Sequence, residues 1–211
     1  MIKAVLFDLD GTLIDTNKLI AESFKYTFKI HHNEEKSDKE VSVFFGQPLE
    51  ESFKVYGEEL CNDMIKTYRE YNEKIHDTMC MEFEGTTETL KTLKSMGIKT
   101  AIVTSKRKVL AERGMKINGI IEYFDAIITP EDTNEHKPKP GPVIKACEIL
   151  GVKPEEALMV GDSHFDLMSG KSAGAKICGV NYTALPIELL KDCEPDYFID
   201  SIKDIITIVD K

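Results

Sequence analysis

Short apolar runs set between helix-patterned segments constrain this chain more than any other feature. Val5-Leu6-Phe7, Ile98 to Val103, Ala126-Ile127-Ile128, Ala157-Leu158-Met159-Val160 and Lys176 to Val180 each read as a strand. None alternates cleanly between polar and apolar residues, so both faces of each strand are expected to be covered. Residues 86–96, 106–116, 141–150 and 164–173 carry helical patterning between them, with Gly97 and Gly151 as stops. A short strand near Tyr197-Phe198-Ile199 and a helix from Ile202 complete the series. Strand and helix in alternation predict an α/β fold, a doubly wound parallel sheet with helices on both faces. Sheets of this kind bind ligands at the carboxyl ends of their strands.

One stretch breaks the rhythm. Leu19, Ile20, Ser23, Phe24, Thr27 and Phe28 form an amphipathic helical stripe, and the polar run from His31 to Glu40 reads as a solvated connection. Gly46-Gln47-Pro48 starts a short helix with proline in its first turn. A longer helix from Glu58 to about Asp77 places Leu60, Met64, Tyr68, Tyr71 and Ile75 on one face. The expected organisation is a core of residues 1–14 and 83–211 with an inserted, strandless helical cap of residues 15–82.

Net charge is −10, from 27 basic and 37 acidic side chains, which argues against a nucleic-acid or anionic-membrane surface. No stretch is long and apolar enough to span a bilayer, and no signal-peptide pattern is expected because strand patterning begins at residue 2. The five cysteines (Cys61, Cys80, Cys147, Cys178 and Cys193) are scattered and form no C-x-x-C pair. They read as reduced core thiols of a cytoplasmic protein.

Polar groups gather where the strands end. The first ends in Asp8-Leu9-Asp10-Gly11-Thr12, two carboxylates spaced i, i+2 before a glycine turn. The second ends in Thr104-Ser105-Lys106, where backbone N–H groups of a helix start would bind phosphate oxygens. Lys137 follows the third, stiffened by Pro138 and Pro140, and Gly161-Asp162-Ser163-His164-Phe165-Asp166 follows the fourth. Phosphoryl transfer needs a nucleophile, a cation bridging it to the phosphate, donors around the equatorial oxygens, and an acid/base. Asp8 supplies an oxygen nucleophile able to form an aspartyl-phosphate. Asp8, Asp162 and the Asp10 carbonyl suit Mg²⁺, leaving the Asp10 side chain for proton transfer and Thr104 and Lys137 for the phosphate.

In these residues the chain resembles the haloacid dehalogenase (HAD) superfamily phosphatases with a helical C1 cap. The family's D-x-D-G-T is matched by Asp8 to Thr12, its Thr/Ser by Thr104, its lysine by Lys137 and its G-D-x-x-x-D by Gly161 to Asp166. The resemblance implies a HAD-like Rossmannoid core, Asp8 as nucleophile, Asp10 as acid/base, and Thr104, Ser105 and Lys137 as phosphate ligands. It places Mg²⁺ at Asp8, the Asp10 carbonyl and Asp162, with Asp166 supporting the metal shell or orienting the lysine. Within the family the phosphoglycolate phosphatase and pyrophosphatase branch is most similar. Phe45-Gly46-Gln47-Pro48-Leu49-Glu50 resembles its cap loop, so Gly46 and Gln47 join the candidate site residues. Tyr68-Arg69-Glu70-Tyr71-Asn72 with His76-Asp77 looks like the pyrophosphatase subgroup linked to HPr phosphorylation. Ser105-Lys106 stands where an Asn-Lys pair is common in phosphoglycolate phosphatases.

The expected function is Mg²⁺-dependent hydrolysis of a small phosphorylated metabolite or of pyrophosphate. A phosphosugar mutase of the β-phosphoglucomutase type is the alternative on the same fold, and a receiver-type signalling domain the non-enzymatic one. Expected partners are small molecules, with neither nucleic acid nor membrane, acting on a monomer or weak homodimer.

Overall fold

Burial of every residue in the first apolar run sets the architecture. In the computed structural model, which describes residues 1–210, that run is β1 (Ala4–Phe7), with all four side chains fully buried. The chain divides into two compact units, Met1–Asp15 with Met81 onward, and Thr16–Cys80. After β1 come β2 (Ile14–Asp15) and the helices α1 (Asn17–His32), α2 (Asp38–Val41), α3 (Leu49–Phe53) and α4 (Glu58–Ile75). The larger unit resumes with β3 (Met81–Glu82), α5 (Thr86–Ser95), β4 (Lys99–Val103), α6 (Lys108–Ile117) and β5 (Ala126–Ile128). It continues through α7 (Gly141–Leu150), β6 (Ala157–Gly161), α8 (His164–Ala173) and β7 (Lys176–Val180). The last elements are α9 (Ile187–Lys191), β8 (Tyr197–Ile199) and α10 (Ile205–Val209).

Six strands form one sheet in the order β5-β4-β1-β6-β7-β8, and every neighbouring pair is parallel. β1 lies between β4 and β6, with Phe7 level with both Ile102 and Val160. Successive side chains of a strand face opposite sides. Ala4 and Leu6 therefore join Ala101, Val103 and Met159 against Val143, Ala146 and Leu150 of α7 and Leu167 of α8. Helix α5 packs on β4 and buries Leu90 and Leu93. This is the doubly wound α/β core that the apolar runs imply.

The helical unit is organised by aromatic packing between α1 and α4. The Phe24 ring lies 4.8 Å from Tyr68, 5.2 Å from Phe44 and 5.6 Å from Phe53. Asn72 of α4 donates to the Ser23 hydroxyl across 3.1 Å, so a polar pair sits inside the apolar seam without loss of hydrogen bonding.

Three local expectations are corrected. Helix α1 runs through His31 and His32 and stops at Asn33, whose left-handed φ of 53° ends the hydrogen-bond ladder. His31 and His32 are half-buried on that last turn, His31 2.8 Å from the Thr67 hydroxyl and His32 packed on Tyr56, contacts that a polar run in sequence does not announce. Residues 15–82 are not strandless at their edges: β2 and β3 pair antiparallel, Ile14 with Glu82 and Asp15 with Met81. Two-residue strands are too short to show a period. Helix α6 begins at Lys108 rather than at 106, because Ser105 to Arg107 form a turn.

Helix α8 approaches the sheet so closely that Gly170 has no room for a side chain. A Cβ there would lie 2.7 Å from Ile177 Cγ2 and 2.8 Å from Met159 Cβ. Gly170→Ala is expected to destabilise the protein by ~1–3 kcal/mol through overpacking, despite alanine's better helix propensity. Urea denaturation of the variant checks the sign.

Candidate active site

The carboxyl ends of β4, β1 and β6 are adjacent in the sheet, and three distant chain segments meet there. The ladder runs one residue past β1, where the Asp8 N–H donates to the Val160 carbonyl at 2.9 Å. The chain then bends at Gly11, φ +81°. A Cβ on Gly11 would stand 2.3 Å from Asp162 Oδ2, so the turn needs glycine both for its backbone angle and for the approach of that carboxylate.

Lys137 is the hub. Its buried ammonium donates to Asp8 Oδ1 at 2.6 Å, Asp166 Oδ1 at 2.5 Å and the Val103 carbonyl at 3.0 Å. Asp166 is held in turn by α8, because its Oδ2 accepts from the Ser163 N–H at 3.1 Å and the Ser163 hydroxyl at 2.6 Å. These contacts belong to the capping box that starts the helix. Of the two roles expected for Asp166, the structure makes the lysine contact directly. The Lys137-Pro138 peptide is cis.

Asp162 sits beside this pair. Its Oδ1 accepts a long hydrogen bond from the Thr12 hydroxyl at 3.4 Å, and its carbonyl accepts from the Thr183 hydroxyl at 2.7 Å. The Tyr182 hydroxyl donates to the Thr12 carbonyl at 3.0 Å, which ties the loop after β7 to the turn after β1. Thr104 is buried. Its N–H donates to the Ile128 carbonyl at 3.0 Å, and its hydroxyl oxygen accepts the Lys106 N–H at 3.1 Å. Ser105 is exposed in the turn. The Asp10 side chain, expected to be uncommitted, is gripped by Lys106, whose ammonium lies 2.8 Å from Oδ1 and 3.1 Å from Oδ2. Gly46 and Gln47 belong to the helical unit, in the loop before α3, where Gly46 has a positive φ of 76°.

Four contributors were missed in the sequence: Lys106, Ser163, Tyr182 and Thr183. Ser163 was legible, since Ser-x-x-Asp ahead of a helix is a capping pattern. The other three contact residues so remote in sequence that no local pattern announces them.

Burial dominates the electrostatics. It pushes the Asp8 carboxyl up to about 7, Lys137 opposing the rise and the Asp166 charge adding to it. Burial likewise carries Asp162 well above the ordinary carboxylate range, with Asp166 and Asp8 reinforcing the effect. For Lys137 burial acts downward, but Asp166 and Asp8 outweigh it and hold the ammonium above the usual lysine range. Asp8, Asp162 and Asp166 each offer an oxygen within 4.8 Å of the others'. Three carboxylates against one lysine leave an excess of negative charge that an oxygen-seeking divalent cation would offset, so the donor set fits such an ion. Asp166 spends both oxygens on Ser163 and Lys137, which leaves Asp8 and Asp162 better suited to ligate it.

Fold and site together define a doubly wound α/β protein with an acidic, lysine-bridged centre at the carboxyl edge of its parallel sheet. The chain matches the model of the haloacid dehalogenase-like hydrolases over residues 5–180, a span that contains every strand end just described, and it belongs to that family. A Clostridium perfringens relative is 56% identical over 211 residues, covering 100% of this chain and 99% of its own. Pyrophosphatase PpaX of Halalkalibacterium halodurans is 42% identical over 208 residues, covering 99% and 97%. Among solved structures, a haloacid dehalogenase-like hydrolase from Streptococcus pneumoniae superposes with a TM-score of 0.89 at 26% identity, over 99% of this chain and 98% of its own.

Lys137→Ala strands two buried carboxylates and is expected to cost ~3–5 kcal/mol of stability near neutral pH, measurable by chemical denaturation. The raised Asp8 carboxyl also sets a pH dependence. Between its ordinary value of 3.8 and about 7, the folded state binds more protons than the unfolded one. Stability from this group is full below that window and is lost as pH rises through it; Asp162 acts in the same sense. A divalent cation needs the carboxylates ionised. The melting temperature in chelator should therefore fall from about pH 5 to about pH 8 more than that of an Asp8→Asn control, which lacks the titrating carboxyl, while the gain on adding Mg²⁺ grows over the same interval.

Proposed function

We propose that this protein is a Mg²⁺-dependent phosphohydrolase that works through an aspartyl-phosphate on Asp8 and that its substrate is inorganic pyrophosphate. The observation that carries the chemistry is the Asp8 carboxylate at the end of the central strand, buried, bonded to Lys137 and beside Asp162. The substrate rests on the relative named pyrophosphatase, which is 42% identical over nearly the whole chain.

In this reading an Asp8 oxygen forms a bond to phosphorus as the bond from phosphorus to the leaving phosphate breaks. Asp10 gives its proton to the leaving oxygen. Water then attacks the phosphorus of the aspartyl-phosphate while Asp10 takes up the water's proton, which frees phosphate and restores Asp8. Lys137 offsets charge on Asp8 and on the transferring group, Asp166 holds Lys137 in place, and Thr104 and Ser105 line the phosphate's oxygens. Asp8, Asp162 and the Asp10 carbonyl would hold Mg²⁺, which when bound neutralises charge between the carboxylate and the phosphate. Residues 1–14 and 83–211 act as the catalytic core and residues 15–82 as a cap, whose Gly46-Gln47 loop serves substrate selection. Five free, buried cysteines and the lack of any described helix long and apolar enough to cross a membrane support a cytoplasmic setting.

Phosphate release with Mg²⁺ from pyrophosphate, phosphoglycolate and a panel of sugar and nucleotide monophosphates tests the proposal. Pyrophosphate should be preferred, and Asp8→Asn should lose about 10⁴-fold or more in kcat. Turnover retained in that variant would sink the nucleophile assignment. A preferred monoester would replace the substrate, and isomerised sugar phosphate without free phosphate would make the protein a mutase.

A further inference from the structure

We infer that Lys106 is a positioning residue for Asp10, an inference that rests on the proton-transfer role proposed above. Lys106 opens a run of three cations, Lys106-Arg107-Lys108, of which the latter two are exposed. Lys106 alone turns inward, its side chain only 9% exposed and that of Asp10 only 20%. Its ammonium reaches both carboxylate oxygens, at 2.8 and 3.1 Å.

Two contacts rather than one matter physically. The terminal torsion of an aspartate is broad and two-fold, so a partner on a single oxygen leaves the carboxylate plane free to turn. A cation bridging both oxygens fixes that plane. The two ends of the bridge are themselves anchored. The Lys106 N–H donates to the Thr104 hydroxyl oxygen at the end of β4, and Asp10 forms a β-bridge with Ile14 in the turn after β1. β4 and β1 are neighbours in the sheet. Lysine and aspartate therefore hang from adjacent strand ends and face each other across a short gap.

A group that must serve a leaving oxygen and then a water from one place needs its orientation set in advance. Misplacement by about 1 Å can cost on the order of 10²-fold in rate. Exposed ion pairs are loosely held and do little of this, but a pair shielded to the degree seen here is held. Ser105-Lys106 therefore keeps a cation in reach of Asp10, and the chemistry of the neighbouring Ser105 is not needed for the effect.

The test is a double-mutant cycle on the full chain with Mg²⁺, run on pyrophosphate and on p-nitrophenyl phosphate, so that a wrong substrate leaves it readable. The variants are Lys106→Met, Lys106→Arg, Asp10→Asn and the two lysine changes combined with Asp10→Asn. Lys106→Met is expected to lower kcat about 10²-fold with KM little changed, and Lys106→Arg to recover part of the loss. In the Asp10→Asn background neither lysine change should cost anything further in kcat, because the group being positioned is gone. Equal losses in both backgrounds would overturn the inference, as would a raised KM with kcat intact, which makes Lys106 a substrate ligand. Thermal melts separate a folding defect; if Lys106→Met does not fold, the Lys106→Arg cycle carries the same two outcomes. Full turnover by Asp8→Asn would instead remove the underlying reading, whatever the cycle gave.

Discussion

One ammonium group ties this structure's working parts together. Lysine carries three donors, and Lys137 commits all three inside the protein, to Asp8, to Asp166 and to the Val103 carbonyl. Those acceptors come from the end of β1, the start of α8 and the end of β4. A single side chain therefore sets the distances among three elements of the sheet's carboxyl edge. Burying a charge is costly unless it is paired and hydrogen-bonded, and here both conditions are met from two sides. Ser163 completes the arrangement by holding the far oxygen of Asp166 through the same contacts that cap α8. Helix initiation and placement of the nucleophile candidate are thus one constraint.

Lys137 also changes what the site's electrostatics can be. With Asp8 and Asp166 it makes a group of two negative charges and one positive, and Asp162 adds a further carboxylate within the same few ångströms. The closeness requires exact backbone clearance. Gly11 and Gly161 supply it, since a Cβ at either would stand 2.3 Å from the Asp162 or Asp166 side chain. Glycine at these two positions allows carboxylates to lie against the main chain, a packing that no other residue permits without moving the strand ends.

The sheet was legible because full burial leaves a simple trace: a strand covered on both faces cannot carry polar alternation, so unbroken apolar runs such as Ala157 to Val160 mark it. The acidic strand ends were legible for the converse reason, since paired carboxylates at the end of an apolar run are costly unless a cation or a substrate meets them. Contacts between remote residues left no such trace. Lys106 and Asp10 lie 96 positions apart, and a lysine in a run of three cations looks like solvated surface. Nor does the sequence mark α6 as starting at Lys108. Arg107 stands at its N-cap, without the side-chain oxygen that usually announces a helix. The same limit hid β2 and β3, whose two residues each are specified by their partner rather than by their own pattern.

Charge at the site explains why so acidic a chain can handle an anion at all. Four carboxylates (Asp8, Asp10, Asp162 and Asp166) face two ammonium groups, Lys106 and Lys137, an excess of two negative charges before any substrate arrives. An anionic substrate entering that field alone would be repelled. Burial already pushes the Asp8 carboxyl to about 7 and Asp162 well above its ordinary range, so the cluster sheds the excess by taking up protons. A divalent cation competes for the same positions and offsets the same charge while presenting a positive face outward. Protons neutralise the carboxylates but leave nothing to attract phosphate; a metal ion does both. The two lysines already spend donors on these carboxylates, which holds the carboxylates in place and leaves less positive charge to meet an anion. Cation and anion are then expected to bind with mutual support, each reducing the electrostatic cost of the other.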